Sequence, residues 1–384
     1  MSNSSPFQRT GFLIVGAALI CFLSHGVSTS LAATKETSPG TKKAARPDAK
    51  KEDKKEANPI FFPLPPDAPR VQFLMSFSSS ADLPAAKPSK FTTFLTGKEP
   101  PPEMIMKPYG LAIHHGKIEV TDTVLNSIRI IDIEKWKFRS FSPKGEALIR
   151  TPINLSVDQD GTHYVADTGR KQVVIFDENE KYLGAIGTKD EMRPTDVAIT
   201  ADRLYVTDLK ASNVRVYDKK ERKLLFTIPR GTVTETNQLF SPTNLALDSQ
   251  GNLYVSDTGA FRVLKFDPEG NYLQTFAKHG GDPGTLARPK GVAVDREGRV
   301  YVVDAATQVL QMWDAEGRLL LFFGEPVVSP IEFNIPSKVA VDYEHVALFK
   351  KFVAPGFNVE HLILVVSQYG DRKVSVFGFG SKKS

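Results

Sequence analysis

Cysteine is nearly absent from this 384-residue chain, because the only one is Cys21, close to the N-terminus. Once the N-terminal segment is removed, the chain can form no disulfide, no covalent haem attachment and no thiolate zinc site. The sequence also lacks a phosphate-binding loop, a Rossmann glycine pattern and a Ser/His/Asp arrangement.

A long hydrophobic run is missing as well. The first 32 residues have the layout of a secretory signal, with Arg9 at the positive start, apolar residues from 11 to 23, and a small-x-small cleavage site at 30–32. The apolar run is short for a membrane span. We therefore expect an exported protein, periplasmic or extracellular. The alternative is a retained anchor, and we expect membrane contact only in that case.

Most of the chain has no excess of positive charge. The formal net charge is +5, but residues 34–57 carry eight Lys/Arg and five Asp/Glu, and Arg9 adds one more positive charge. The remainder is nearly neutral and offers no basic field to a phosphate backbone, so nucleic-acid binding is not expected. Residues 33–58, rich in Lys, Ala and Glu, predict a disordered linker. A single domain is expected over residues 59–384.

Six copies of one pattern occupy residues 107–342. Each copy has a Pro-led turn, an apolar strand that ends in Asp, and a second strand, as in Arg288-Pro-Lys-Gly-Val-Ala-Val-Asp295 followed by Arg299-Val-Tyr-Val-Val-Asp304. A period of 42 to 48 residues separates the leading prolines, which are Pro108, Pro152, Pro194, Pro242, Pro289 and Pro336. This period is typical of one four-stranded propeller blade per repeat, with strands a to d in chain order.

The two ends of the array predict ring closure. The last repeat offers strands at 338–342, 362–367 and 373–379 but no fourth one. Residues 70–78, ahead of the first repeat, predict a spare strand whose apolar part is 71–77. We expect this strand to complete the sixth blade, because that arrangement removes an open sheet edge.

Blade six also carries an insertion, residues 343–361, between its first two strands. Within it, Val346, Phe349 and Phe352 fall on one face of a predicted short helix, with lysines opposite. One interpretation is that this face, extended by Phe357, docks a protein partner. The other is that the face packs on the propeller itself.

The repeat resembles the NHL family of six-bladed β-propellers. The matching pattern is Pro-x-Gly/Asn-apolar-Ala-apolar-Asp, then Tyr-Val-x-Asp-Thr, then Arg-Val-x-x-Phe-Asp, and Phe261-Arg-Val-Leu-Lys-Phe-Asp267 is a close copy. The resemblance covers about residues 68–380 and implies an all-β, six-bladed propeller closed by an N-terminal strand. It implies little about function, since the family includes scaffolds, sensors, RNA readers and a few lyases.

Two polar sets recur in the repeats. Five acidic residues end strand b, and we interpret them as turn caps rather than as a cation-binding ring: Asp122, Asp167, Asp208, Asp257 and Asp304. A second set begins strand a, where the resemblance places the mouth of the central channel: Gly110, Asn154, Asp196, Asn244, Gly291 and Lys338.

The leading hypothesis is a non-catalytic binding platform for a protein or glycan partner, without a cofactor. A role as an accessory subunit of an envelope or redox assembly is a further option. The expected binding residues lie in the d–a and b–c loops: Tyr109, Asn154, Arg170, Asp196, Asn244, Arg262 and Lys290.

The alternative hypothesis is a Ca²⁺-dependent lactonase or lyase. Its metal ligands would be Asn154, Asp196, Asn244 and Glu119. Glu119 stands out because other blades have tyrosine at its position in strand b. The histidines after the signal segment fall at dissimilar places in the repeats, and we interpret them as turn or surface residues.

Overall fold

Every repeat folds into an antiparallel sheet whose first strand begins at the leading proline. Proline suits the first residue of a strand because it has no N–H to give to the ladder. The computed structural model describes residues 58–84 and 101–382, except 189 and 327. The predicted signal segment and nearly all of the predicted linker lie outside these residues.

The strands follow the predicted order. Two of them precede the first repeat: β1 (Phe61–Phe62) and β2 (Val71–Phe77). Blades one and two contain β3 (Pro108–His114), β4 (Lys117–Asp122), β5 (Ser127–Asp132), β6 (Lys137–Phe141), β7 (Pro152–Val157), β8 (His163–Asp167), β9 (Gln172–Phe176) and β10 (Tyr182–Ile186). Blades three and four contain β11 (Pro194–Ile199), β12 (Arg203–Asp208), β13 (Asn213–Asp218), β14 (Leu224–Ile228), β15 (Pro242–Leu247), β16 (Leu253–Asp257), β17 (Arg262–Phe266) and β18 (Tyr272–Phe276).

Blades five and six complete the ring. They contain β19 (Pro289–Val294), β20 (Val300–Asp304), β21 (Val309–Trp313), β22 (Leu319–Phe323), β23 (Pro336–Asp342), β24 (Phe357–Ser367) and β25 (Val374–Lys382). Short 3₁₀ helices lie at Ser80–Asp82, Gly145–Ala147, Thr258–Ala260 and Val346–Phe352. In the part of the chain that the structure describes, no helix has the length and apolar character needed to cross a membrane.

Closure of the ring is confirmed. The sixth sheet has the order β1-β2-β25-β24-β23, so the N-terminal strand β2 takes the place of the missing fourth strand. Its pairing with β25 runs from Val71 opposite Phe379 to Phe77 opposite Val374. Strand β1 adds a fifth strand that the sequence did not predict. The ring of Phe62 stacks on that of Phe323 in blade five, with centroids 4.5 Å apart.

Apolar clusters fill the spaces between neighbouring blades, and hydroxyl groups bond to the first residues of strand a in the next blade. Thr168 Oγ1 donates to the carbonyl of Pro194 (2.6 Å), and Thr258 Oγ1 does the same to Pro289 (2.6 Å). Ser337 Oγ donates to Tyr109 O (2.8 Å) and so links blade six back to blade one. These bonds connect blades two to three, four to five and six to one around the central channel.

The insertion in blade six is shorter than predicted. Strand β24 begins at Phe357, so residues 357–361 are strand rather than connection. The preceding 3₁₀ helix packs on blade one, where the rings of Phe349 and Trp136 are 5.6 Å apart. Gln72 of β2 holds its end, because Gln72 Nε2 donates to Phe352 O (3.0 Å) and Gln72 Oε1 accepts from Ala354 N (3.0 Å). The insertion therefore fastens the closing strand to the ring.

Candidate functional site

A bulge near the start of strand a recurs in all six blades. The pairing of strand a with strand b shifts register after each leading proline, for example between Pro242 and Asn244 and between Pro336 and Lys338. A bulge bends the strand and redirects a side chain. The redirected position is the third residue of strand a, which is the position that we predicted to line the channel mouth.

Lys338 and Asp196 meet across this mouth. They belong to blades six and three, which face each other in a six-bladed ring, and Lys338 Nζ lies 2.7 Å from Asp196 Oδ2. Asp196 is fully buried and also accepts hydrogen bonds from the backbone N–H groups of Val197 and Leu245 (2.9 Å each). Burial raises the pKa of Asp196, and Lys338 together with these donors opposes the rise. An ammonium group thus occupies the place that the Ca²⁺ hypothesis gave to the metal.

Two glycines make room for this contact. A Cβ on Gly291 would lie 2.5 Å from Lys338 Cα, and a Cβ on Gly110 would lie 2.5 Å from Asn154 Oδ1. Gly110 and Gly291 belong to blades one and five, the two neighbours of blade six. The innermost strands approach closely there because neither residue has a side chain.

The two asparagines of the mouth retain hydrogen-bonding capacity. Asn154 and Asn244 are fully buried. Asn154 Nδ2 donates to Thr195 O (2.9 Å). Within residues 58–84 and 101–382, however, Asn154 Oδ1 and both polar atoms of Asn244 have no hydrogen-bond partner. Buried amides are almost always paired, so the unpaired atoms mark the mouth as a candidate binding site.

Lys290, Arg288 and Tyr109 complete the mouth. Burial, together with a smaller contribution from the charge of exposed Arg288, lowers the pKa of Lys290 to about 8. Burial also raises the pKa of Tyr109, with a further contribution from Asp196 and an opposing one from Arg288. The hydroxyl of Tyr109 therefore stays protonated at neutral pH. Neither Lys290 nor Arg288 forms an ion pair with any residue in the described ranges.

Arg170 and Arg262 have a different role from the one expected. Arg170 Nη1 donates to the carbonyls of Glu146 (2.6 Å) and Leu148 (2.9 Å). Arg262 Nη2 donates to the carbonyls of Glu235 and Gln238 (3.2 and 2.8 Å). Both arginines hold the d–a loop that precedes their blade, and their polar contacts do not involve the channel residues.

The strand-b aspartates act as the sequence suggested. All five are fully buried. Asp304, for example, accepts the backbone N–H groups of Ala287 (2.7 Å) and Arg288 (2.8 Å) from the d–a loop, and those of Ala306 (2.8 Å) and Thr307 (3.1 Å) from the b–c turn. One carboxylate therefore ties together the two loops that form the mouth face.

The predicted docking face of the insertion is turned inward. Phe349 and Phe357 are buried, and the Phe357 ring lies 5.2 Å from that of Phe61. Val346 and Phe352 are half-buried, and the Phe352 ring lies 6.0 Å from Trp136. The docking hypothesis is wrong for this face, because its apolar side chains are used in packing on the propeller.

Glu119 does not join the channel asparagines, so the four-residue Ca²⁺ site is wrong. Its carboxylate lies instead beside two histidines: Glu119 Oε1 is 3.2 Å from His114 Nε2, and Glu119 Oε2 is 3.0 Å from His163 Nε2. Burial alone would raise the pKa of Glu119, but the two histidines beside it outweigh this effect and lower the pKa to about 2. Our interpretation of the histidines as turn or surface residues is wrong for His163, His345 and His361, since all three are buried.

Comparison with known proteins supports the repeat assignment. The chain is 31% identical to NHL repeat-containing protein 3 of Homo sapiens over 140 residues, which are 34% of this chain and 40% of that protein. The chain is thus a distant homologue that spans two fifths of the length of this curated relative. No family model matches the sequence.

Solved structures share the fold at low identity. A protein of unknown function from Bacteroides thetaiotaomicron superposes with a TM-score of 0.54 at 15% identity, covering 80% of this chain and 75% of that one. A catalytically inactive virginiamycin B lyase from Staphylococcus aureus, solved with quinupristin, superposes with a TM-score of 0.50 at 13% identity, covering 72% and 96%. At such identities the likeness shows the six-bladed propeller fold alone.

Proposed function

We propose that this chain is an exported, non-catalytic propeller that binds an acidic segment of a protein partner at the channel mouth. One observation carries the proposal. Lys290 and Arg288 of blade five are cations at the mouth without an ion-pair partner among the described residues, and neighbouring blade four contributes fully buried Asn244 with its unpaired polar atoms. A cation in a partly desolvated place is stabilised by an incoming anion.

The charge balance of the mouth favours a carboxylate ligand. Lys338 is neutralised by Asp196, so Lys290 and Arg288 supply the remaining positive charge. Tyr109 adds a hydroxyl donor, and Asn244 Nδ2 adds an amide donor. A carboxylate has two oxygens that can accept several such hydrogen bonds at once.

Several features support binding rather than catalysis at this mouth. The carboxylate that could act as a base there, Asp196, is held by Lys338 and two backbone N–H groups. The d–a loops are fixed by buried aspartates and by Arg170 and Arg262. A rigid rim of loops from several blades is suited to recognising a partner.

The test is isothermal titration with a hexaglutamate peptide, using hexaglutamine as the neutral control. Lys290→Gln and Arg288→Gln should each weaken hexaglutamate binding by at least ~10-fold, the loss expected for one charged hydrogen bond. Lys220→Gln is the matched control, because Lys220 is exposed on a c–d turn at the opposite face. Equal binding of both peptides, or unchanged affinity in both mouth variants, would contradict the proposal.

A further inference from the structure

A second polar cluster lies at the other end of the innermost strands, between blades one and two. His114 is the last residue of β3, Glu119 lies in β4, and His163 is the first residue of β8. Glu119 pairs with Ala112, two residues before His114, so His114 and Glu119 are diagonal neighbours on one face of the β3–β4 hairpin. His163 reaches the same carboxylate from the neighbouring blade.

The cluster is buried and incompletely bonded. The side chains of His114, Glu119 and His163 are 11%, 1% and 6% exposed. His163 Nε2 makes a hydrogen bond with Glu119 Oε1 (3.1 Å). In contrast, both ring nitrogens of His114 and Nδ1 of His163 have no hydrogen-bond partner in the part of the chain that is described. A cluster that served only to satisfy its own polar groups would not leave both ring nitrogens of His114 without a hydrogen bond of good geometry.

We propose that His114, Glu119 and His163 form a binding site for a divalent transition-metal ion such as Zn²⁺. Two imidazoles and one carboxylate are donors that this class of ion accepts. The three donor atoms lie within 4.8 Å of one another. The shortest distances from Glu119, 3.0 and 3.2 Å, approach the separation of about 3.3 Å between ligands of a tetrahedral ion with bonds near 2.05 Å.

The departure from the repeat supports the same conclusion. Strand b of blades two to five has tyrosine where Glu119 stands, and in blade five Tyr301 Oη donates to Asp295 (2.8 Å). In blade one the tyrosine hydroxyl is replaced by the carboxylate of Glu119, and two histidines lie next to that carboxylate. A buried carboxylate is costly without a positive partner, and a bound dication would supply that partner.

The site leaves room for a further ligand. His114 lines a cavity of about 300 Å³, together with His115, Asp158, Arg296 and Tyr343. Three protein ligands leave at least one coordination position of a zinc ion free. That position would be open to water or to an oxygen donor that enters the cavity on the face opposite the channel mouth.

The experiment titrates the full chain, freed of metal with EDTA and then dialysed, with Zn²⁺ alone. We expect one equivalent to bind and the melting temperature to rise with Zn²⁺ concentration by mass action. Glu119→Gln and His163→Asn should weaken this binding by more than ~100-fold, since even residues outside the ligand set change metal affinity 10–100-fold. His279→Asn is the control, because His279 is exposed and outside the cluster.

A second readout separates the site from adventitious binding and from a misfolded variant. Co²⁺ in place of Zn²⁺ should give the visible absorption of a low-symmetry, four- or five-coordinate ion, and this absorption should disappear in His114→Asn. His114 is the most exposed of the three residues, so its substitution disturbs the core least. Absence of stoichiometric uptake, or uptake that persists in folded Glu119→Gln and His163→Asn proteins, would overturn the proposal.

Discussion

Lys338 Nζ lies 2.7 Å from Asp196 Oδ2, although the two residues are 142 positions apart in the chain. The contact joins blade six, whose sheet contains both ends of the propeller domain, to blade three on the opposite side of the channel. It therefore links ring closure directly to the charge of the channel mouth. It also leaves the other basic residues of the mouth free for a ligand.

Lys338→Met should lower the free energy of unfolding by roughly 3–5 kcal/mol, because it leaves the carboxylate of Asp196 buried and uncompensated. Asp196→Asn combined with Lys338→Met should recover much of this loss. The amide oxygen can still accept a backbone N–H, and no buried charge remains. Urea unfolding of the single and double variants measures the coupling. A stable Lys338→Met protein would show that the two charges do not depend on each other.

Asp304→Ala should destabilise the protein by at least ~3 kcal/mol, since four backbone N–H groups lose their shared acceptor. Asp314→Ala is the matched control. Asp314 accepts the N–H groups of Glu316 and Arg318 in a solvent-exposed turn of the same blade, where water can replace it. Equal shifts of the urea midpoint in the two variants would contradict the role assigned to the buried strand-b aspartates.

The fold was predictable because the same local sequence pattern is repeated six times. The leading prolines, the Asp-x-x-Gly turns and the apolar strands are short-range signals, and repetition averages out their individual ambiguity. Residues 70–78 were identified as the closing strand, which is within one residue of the bounds of β2 at each end. The start of β24 was missed although residues 357–360 alternate between apolar and polar side chains, because we assigned them to the predicted docking surface of the insertion.

The sites were less predictable because their contacts join different blades. Lys338 meets Asp196 only when blades three and six face each other, and no spacing in the sequence encodes that distance. The cluster of His114, Glu119 and His163 had one signal in the sequence, which was the replacement of tyrosine by Glu119 in strand b. Its partner His163 is the first residue of strand b in blade two, and Glu119 is in the middle of strand b in blade one. Aligning these strands of neighbouring blades would have placed the two residues close together.

Binding of hexaglutamate should weaken as the pH rises through about 8, the value to which burial and Arg288 lower the pKa of Lys290. Only the protonated amine attracts a carboxylate, so the affinity should fall by up to about tenfold per pH unit above that value. Lys290→Arg should bind with little change up to pH ~10, because a guanidinium keeps its charge. Titrations at several pH values test this, and a wild-type affinity that is constant between pH 7 and 9.5 would exclude Lys290 from the site.

Acid should destabilise the propeller through His361. This residue is fully buried, its ring is stacked 4.7 Å from that of Phe379, and its Nε2 lies 3.1 Å from Tyr301 Oη. Burial lowers the pKa of His361 to about 4, and the charge of Asp295 only partly opposes this effect.

The unfolded chain takes up a proton at a pH of about 6.5, whereas the folded protein resists protonation of His361 until about 4, so stability falls as the pH drops between these values. The full loss is about 3 kcal/mol, from 1.36 kcal/mol per unit of pKa difference. His361→Gln removes this titration, so its stability at neutral pH should be lower but should depend less on pH between 6.5 and 4. His279→Gln, on an exposed side chain, should keep the wild-type slope. Urea midpoints at pH 7, 5.5 and 4.5 give the dependence of stability on pH for wild type, His361→Gln and His279→Gln. The same dependence in wild type and His361→Gln would show that acid acts through other groups.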